Sequence, residues 1–289
     1  MFPNLEILSI GSSIPKYTPQ ITLKRISTML LEDSNQPEGE NCPRAPRLRA
    51  LALSRVLVDI PSFPGIDRID TLKLFNCEFA PSVSLWEFVE QVRLNVETLS
   101  LHNTSSKAAT PGPYAKNIDY PSLKSLTLVF PETSRYSLPS IIIDGPALTE
   151  LTCDDAFLPQ LNPQSFPNLS LLSVRSFQSS SLKAFRKVLT EFNLTSLTLF
   201  RVPNARCGLN VLLWSMAQSS DLGKTLQHLR YYTTYKENAQ TLLKAVNKAR
   251  EKPASIPGDG FLASQVLVCG DRSNEYSLPW DAELCWAKT

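Results

Sequence analysis

Histidine and glycine are scarce in this sequence. Its two histidines, His102 and His228, are too few and too widely separated to suggest a metal centre or a catalytic triad. Ten glycines in 289 residues leave little material for loops that cradle phosphates. No P-loop, G-x-G-x-x-G or G-x-S-x-G pattern is present. The six cysteines are dispersed, the closest pair, Cys269 and Cys285, lying 16 residues apart, and no C-x-x-C occurs. That argues against a zinc site and a disulfide scaffold, and it fits a reducing compartment, the cytoplasm or nucleus. The sequons at Asn103, Asn168 and Asn193 carry no glycan in such a compartment.

Long apolar runs are missing as well. No stretch of 18 apolar residues exists, and no basic segment followed by an apolar one opens the chain, so neither a membrane span nor a signal peptide is expected. Charge is nearly balanced, 29 basic against 27 acidic residues, which gives no field to attract nucleic acid or an anionic membrane. The densest basic run, Lys244, Lys248, Arg250 and Lys252, reads as the solvated face of a helix. The adjacent carboxylates Asp154 and Asp155 are expected on a strand, pointing to opposite faces, and so unable to act as an acid/base pair. No catalytic, metal-ligating or cofactor-binding residues are assigned, and no enzyme is expected.

What is present is a repeat. FPNLEILSI at residues 2–10 returns as FPNLSLLSV at residues 166–174. Both contain L-x-x-L-x-L, seen first at Leu5/Leu8/Ile10 and again at Leu48/Leu51/Leu53, Ile69/Leu72/Leu74 and Val96/Leu99/Leu101. The pattern continues at Leu123/Leu126/Leu128, Leu148/Leu151/Cys153, Leu169/Leu172/Val174, Leu194/Leu197/Leu199 and, more loosely, Leu226/Leu229/Tyr231. Proline stands two residues before the first apolar position in five of the nine copies: Pro3, Pro46, Pro121, Pro146 and Pro167. With 22 prolines in 289 residues, chance supplies fewer than one. The last two apolar positions share one face of a short strand, and proline fixes the angle at which the chain enters it.

Segments of helical periodicity lie between the copies, at 20–35, 82–94, 181–192 and 208–218, with serines at 82–84 and 179–181 as N-caps. Strand, turn, helix and return is one turn of a solenoid, whose stacked leucines build a continuous core. The repeats are expected over residues 1–235. Residues 236–289 hold a further helix (237–252), a possible last strand (261–270) and a capping tail of the same domain.

The pattern resembles the leucine-rich repeat. Ile69-Asp-Thr-Leu72-Lys-Leu74-Phe-Asn-Cys77 matches its consensus L-x-x-L-x-L-x-x-N/C in full. The other copies carry Ser13, Val56, Thr104, Pro131, Ala156, Phe177, Val202 and Thr234 at the last position, so a ladder of asparagines is not expected. The F/Y-P-x-L lead-in (Phe2, Tyr120, Phe166) is similar to the irregular repeats of fungal F-box proteins. The resemblance implies an α/β leucine-rich-repeat solenoid of about nine to ten irregular repeats, a curved horseshoe with a parallel sheet on its concave face and helices and loops on the convex one. It also implies substrate recognition for a ubiquitin ligase. The chain opens inside a repeat, so no F-box is expected within it, and adaptor binding is not carried over. SLPWDAEL (277–284) resembles an F-box opening, but only five residues follow it.

In such a solenoid two columns of side chains face outward from the sheet. One holds mainly small and hydroxylic residues with Lys73 and Arg230; the other holds Phe75, His102, Asp154, Arg175, Phe200 and Tyr232. A mixture of aromatic, charged and imidazole groups suits a partner-binding face. The expected partner is another protein on the concave face, bound by a ligase receptor, by a stand-alone scaffold or inhibitor, or by a regulator of a small GTPase using Arg175 or Arg230.

Overall fold

The computed structural model describes residues 5–11, 21–31, 47–63, 65–106, 116–130, 141–175, 182–200, 223, 225–232 and 263–267. In chain order the strands are β1 (Ile7–Gly11), β2 (Ile21–Thr22), β3 (Ala50–Ser54), β4 (Val56–Val58), β5 (Thr71–Phe75), β6 (Glu78–Phe79), β7 (Thr98–His102) and β8 (Ser105–Ser106). They continue with β9 (Lys116–Asp119), β10 (Ser125–Val129), β11 (Ile141–Asp144), β12 (Glu150–Asp154), β13 (Leu171–Arg175), β14 (Ser196–Phe200), β15 (His228–Tyr232) and β16 (Ala263–Leu267). Helices α1 (Leu23–Leu31), α2 (Leu85–Glu90) and α3 (Leu182–Glu191) fall inside three of the expected helical segments. The segments at 208–218 and 237–252 lie outside the described residues.

Ten strands form one parallel sheet in the order β1-β3-β5-β7-β10-β12-β13-β14-β15-β16. All nine copies of the repeat supply one strand each, and β16 adds the tenth within the segment expected as the last strand. The register is in phase: Leu8 pairs with Leu51, then Leu72, Leu99, Leu126, Leu151, Leu172, Leu197 and Leu229. Parallel strands need a crossover between them, and each intervening segment provides it. The result is an α/β, solenoid-like coil. Leucines of successive turns meet the aromatic and branched residues of the crossovers, among them Val58, Phe79, Phe88, Val89 and Phe185, in one continuous core. Among the described residues, no helix is long and apolar enough to cross a membrane.

The proline lead-in proves to be a tight turn. Leu123 N–H donates to the carbonyl of Tyr120 (3.3 Å), Leu148 to Gly145 (3.0 Å) and Leu169 to Phe166 (3.2 Å). Pro121, Pro146 and Pro167 thus hold the second position of an i→i+3 turn, where a fixed φ of about −65° suits the chain and no N–H is needed. The aromatics ahead of two of these prolines, Tyr120 and Phe166, are wholly buried.

At their other ends β3, β5 and β7 break at a left-handed residue: Arg55 (φ 57°), Asn76 (φ 51°) and Asn103 (φ 50°). Asparagine tolerates that region better than most residues. The turned chain then runs into β4, β6 and β8, which with β2 make a second, short parallel sheet.

Among the described residues, polar side chains bridge neighbouring turns ahead of the strands. Thr149 Oγ1 donates to the carbonyl of Lys124 (3.2 Å), Ser170 Oγ to Thr149 (3.4 Å) and Thr195 Oγ1 to Ser170 (3.3 Å). Asn95 Nδ2 reaches Asp67 O (2.6 Å), Ser122 Oγ reaches Leu94 O (3.1 Å) and Asn168 Nδ2 reaches Pro146 O (2.7 Å). Ser84 caps α2, its hydroxyl accepting from Glu87 N–H at 3.4 Å.

The consensus cysteine is used differently. Cys77 is wholly buried, and its thiol donates to the carbonyl of Leu53 (3.3 Å). Burial pushes this thiol up to about 11 from its ordinary 9.0. Unfolded chains lose that proton near pH 9, whereas the folded chain keeps it. The stabilisation is therefore whole below pH 9 and lost as pH rises through about 11, a fall of roughly 3 kcal/mol. Burial raises the Cys153 thiol and the Tyr120 hydroxyl as well. Urea titrations between pH 8 and 11 should show this loss, and Cys77→Ala should show less of it. Parallel curves for the two proteins would refute the assignment.

Candidate functional site

The site is built from the residues that end the strands of the main sheet, on the side away from the leucines. In β5, β7, β10, β12 and β13 that last position holds Phe75, His102, Val129, Asp154 and Arg175, and the register aligns them in one row. Phe200 extends the row in β14, directly beside Arg175. Tyr232 ends β15, where the strand next pairs with β16. Lys73 lies one position inward on the same face, half-buried, between Ala52 and Ser100. Arg230 occupies the same inner column beside Thr198. The side chains of Phe200, Arg230 and Tyr232 lie outside the described set.

The structure corrects one expectation here. The second column was expected to be exposed, yet His102 is 8% accessible, Asp154 3% and Val129 0%. Contacts also run between strands far apart in sequence. Phe75 and His102 stack, with ring centroids 4.5 Å apart and planes 12° from parallel. Arg175 Nη1 stands 3.1 Å from His102 Nε2. Since β10 and β12 lie between β7 and β13 in the sheet, this contact spans two intervening strands. The Asp154 carboxylate accepts from Phe130 N–H at 2.9 Å, which pairs the buried charge with a backbone donor.

Asp155 does not share the strand. It opens a short 3-10 turn, Asp155–Gln160, and is also buried. The carboxylates of Asp154 and Asp155 add to the burial that keeps the neighbouring Cys153 thiol protonated. Trp86 of α2 approaches Phe130 from the crossover side, with ring centroids 6.4 Å apart.

Four of the proposed binding residues, Phe75, His102, Asp154 and Arg175, are thus one contiguous group, with Phe200 next in line. Alternation along the strands puts them in a column but carries no sign that Arg175 spans the row. A separate cleft of about 580 Å³ lies before the strands, lined by Glu6, Arg47, Leu48, Arg49, Arg68, Asp70 and Asn95. It shares no residue with the row and carries charges of both signs. No group of three or more histidine, cysteine or acidic side chains forms a metal-binding cluster among the described residues.

Such a row offers two kinds of interaction at once. The stacked Phe75/His102 pair presents an aromatic edge, and Arg175 presents a cation positioned against an imidazole. Side chains already fixed by their neighbours lose little entropy on binding. No protein-family model and no curated protein matches this chain.

Proposed function

We propose that this chain is a leucine-rich-repeat solenoid of nine to ten irregular turns that binds another protein through the concave face of its parallel sheet. One observation carries the reading: a prearranged row of Phe75, His102, Asp154 and Arg175 at the strand ends, assembled from residues 73 positions apart by the contact between Arg175 and His102. Aromatic and arginine side chains are the commonest energetic anchors of protein interfaces. Aligned strands present them at a spacing of about 4.8 Å. A role as the recognition part of an F-box-like ubiquitin-ligase receptor, in the cytoplasm or nucleus, rests on the repeat pattern and its F/Y-P-x-L lead-in. A stand-alone scaffold or inhibitor would use the same face. No catalytic role is assigned to any residue.

The test is affinity capture with the full chain and with a Phe75→Ala/Arg175→Ala/Phe200→Ala variant. Loss of two or three anchors should weaken the specific partner by roughly 30-fold or more. A partner held equally by both proteins would refute the proposal for this face. Ligase-adaptor and cullin subunits among the captured proteins would support the receptor reading. A single stoichiometric partner without them would support the scaffold.

A further inference from the structure

We infer that Arg175 and His102 form an acid-sensitive latch across the face of the sheet. The inference concerns the same row as the proposed binding face, but it stands on the isolated chain and needs no partner.

A guanidinium has only donors, so an Nη1 that lies 3.1 Å from an imidazole nitrogen needs a lone pair there. His102 Nε2 is therefore the unprotonated nitrogen, and the ring is the neutral tautomer with its proton on Nδ1. Protonation converts Nε2 into a second donor. Donor then faces donor, cation faces cation, and the contact has to open whatever the surrounding charge.

The groups facing the ring among the described residues decide which contacts survive that protonation. From β5 come Phe75 and, diagonally, Lys73; from β10 come the uncharged Val129 and Thr127; β12 carries Asp154 in the same row; from β13 comes Arg175. An imidazolium keeps the stack on Phe75, since a cation over an aromatic face is attracted to it. Arg175 is the contact that it must give up. Protonation therefore leaves the ring stacked on Phe75 and breaks its contact with Arg175. The latch is shut while His102 is neutral and opens once the ring is protonated.

The chain contains two histidines, and His228 is exposed. A His228→Gln variant leaves a single ring to observe. Long-range proton–nitrogen NMR at pH 7.5 should show His102 with its proton on Nδ1 and a bare Nε2. A proton on Nε2, or a doubly protonated ring, would overturn the assignment. In the same background, Arg175→Met should raise the proton affinity of His102 by about fivefold or more, the effect of one unit charge at contact even in water. An unchanged titration midpoint would overturn the latch. Should Arg175→Met fail to fold, the NMR measurement on the arginine-containing chain decides by itself.

Discussion

Replacing Tyr120 by alanine should destabilise the fold by about 3–5 kcal/mol, the range for truncating a large buried aromatic. Tyr120 is the largest of the wholly buried side chains. Three separate features depend on its position. Its ring fills the core beneath the crossover, its N–H donates to the carbonyl of Asp144 (2.7 Å), and its carbonyl closes the turn through Pro121 onto Leu123. Alanine keeps the two backbone bonds and removes the ring, so the loss measures the cavity. The hydroxyl contributes little by comparison, since it reaches the Val89 carbonyl only at 3.5 Å. Tyr120→Phe should then cost about 1 kcal/mol or less. Urea unfolding of both variants gives the comparison. Equal losses would mean that the hydroxyl, and not the ring, anchors the lead-in.

Leu99→Ala should cost about 3 kcal/mol, and the same change at Leu8 only about 1 kcal/mol. The two leucines hold the same position in the repeat, so sequence pattern makes them equal. Their surroundings differ. β7 has β5 on one side and β10 on the other, and Leu99 is 0% accessible. β1 lies last in the sheet order, and its Leu8 and Ile10 are only partly buried, while Ile7 beside them is 50% accessible. In a stacked array each turn is stabilised by its neighbours, so an interior cavity weakens two interfaces and a terminal one weakens one. Unfolding free energies of the two variants check this. A loss at Leu8 as large as that at Leu99 would show that the first turn is covered as fully as the interior strand β7.

The architecture was legible because its signal is long. Nine copies of one apolar rhythm, five of them with proline at the same offset, specify parallel strands whose leucines all turn the same way. Helices α1, α2 and α3 fall inside the expected segments at 20–35, 82–94 and 181–192, and α2 begins at the Ser84 cap. The second sheet was not legible. Its strands are two or three residues long, too short for a period of two to register, and they exist only because left-handed residues such as Asn76 and Asn103 turn the chain after each main strand. The links between turns were missed for a related reason. The ninth repeat position holds a consensus residue at Cys77 alone, whereas the threonine, serine and asparagine bridges sit before the strand, where no consensus marks them.

The candidate site divides along the same line. Alternation along each strand determines that Phe75, His102, Asp154 and Arg175 belong to one face, and repetition determines that they form a column. Both are readable from the sequence because they depend on local geometry with fixed periods. Which of them stay in water is not. His102 and Asp154 are buried although they end strands on the outward face, and an arginine three strands from the histidine in the sheet reaches its imidazole. That reach depends on strand order and register, which bring residue 175 beside residue 102, and only the tertiary structure decides it.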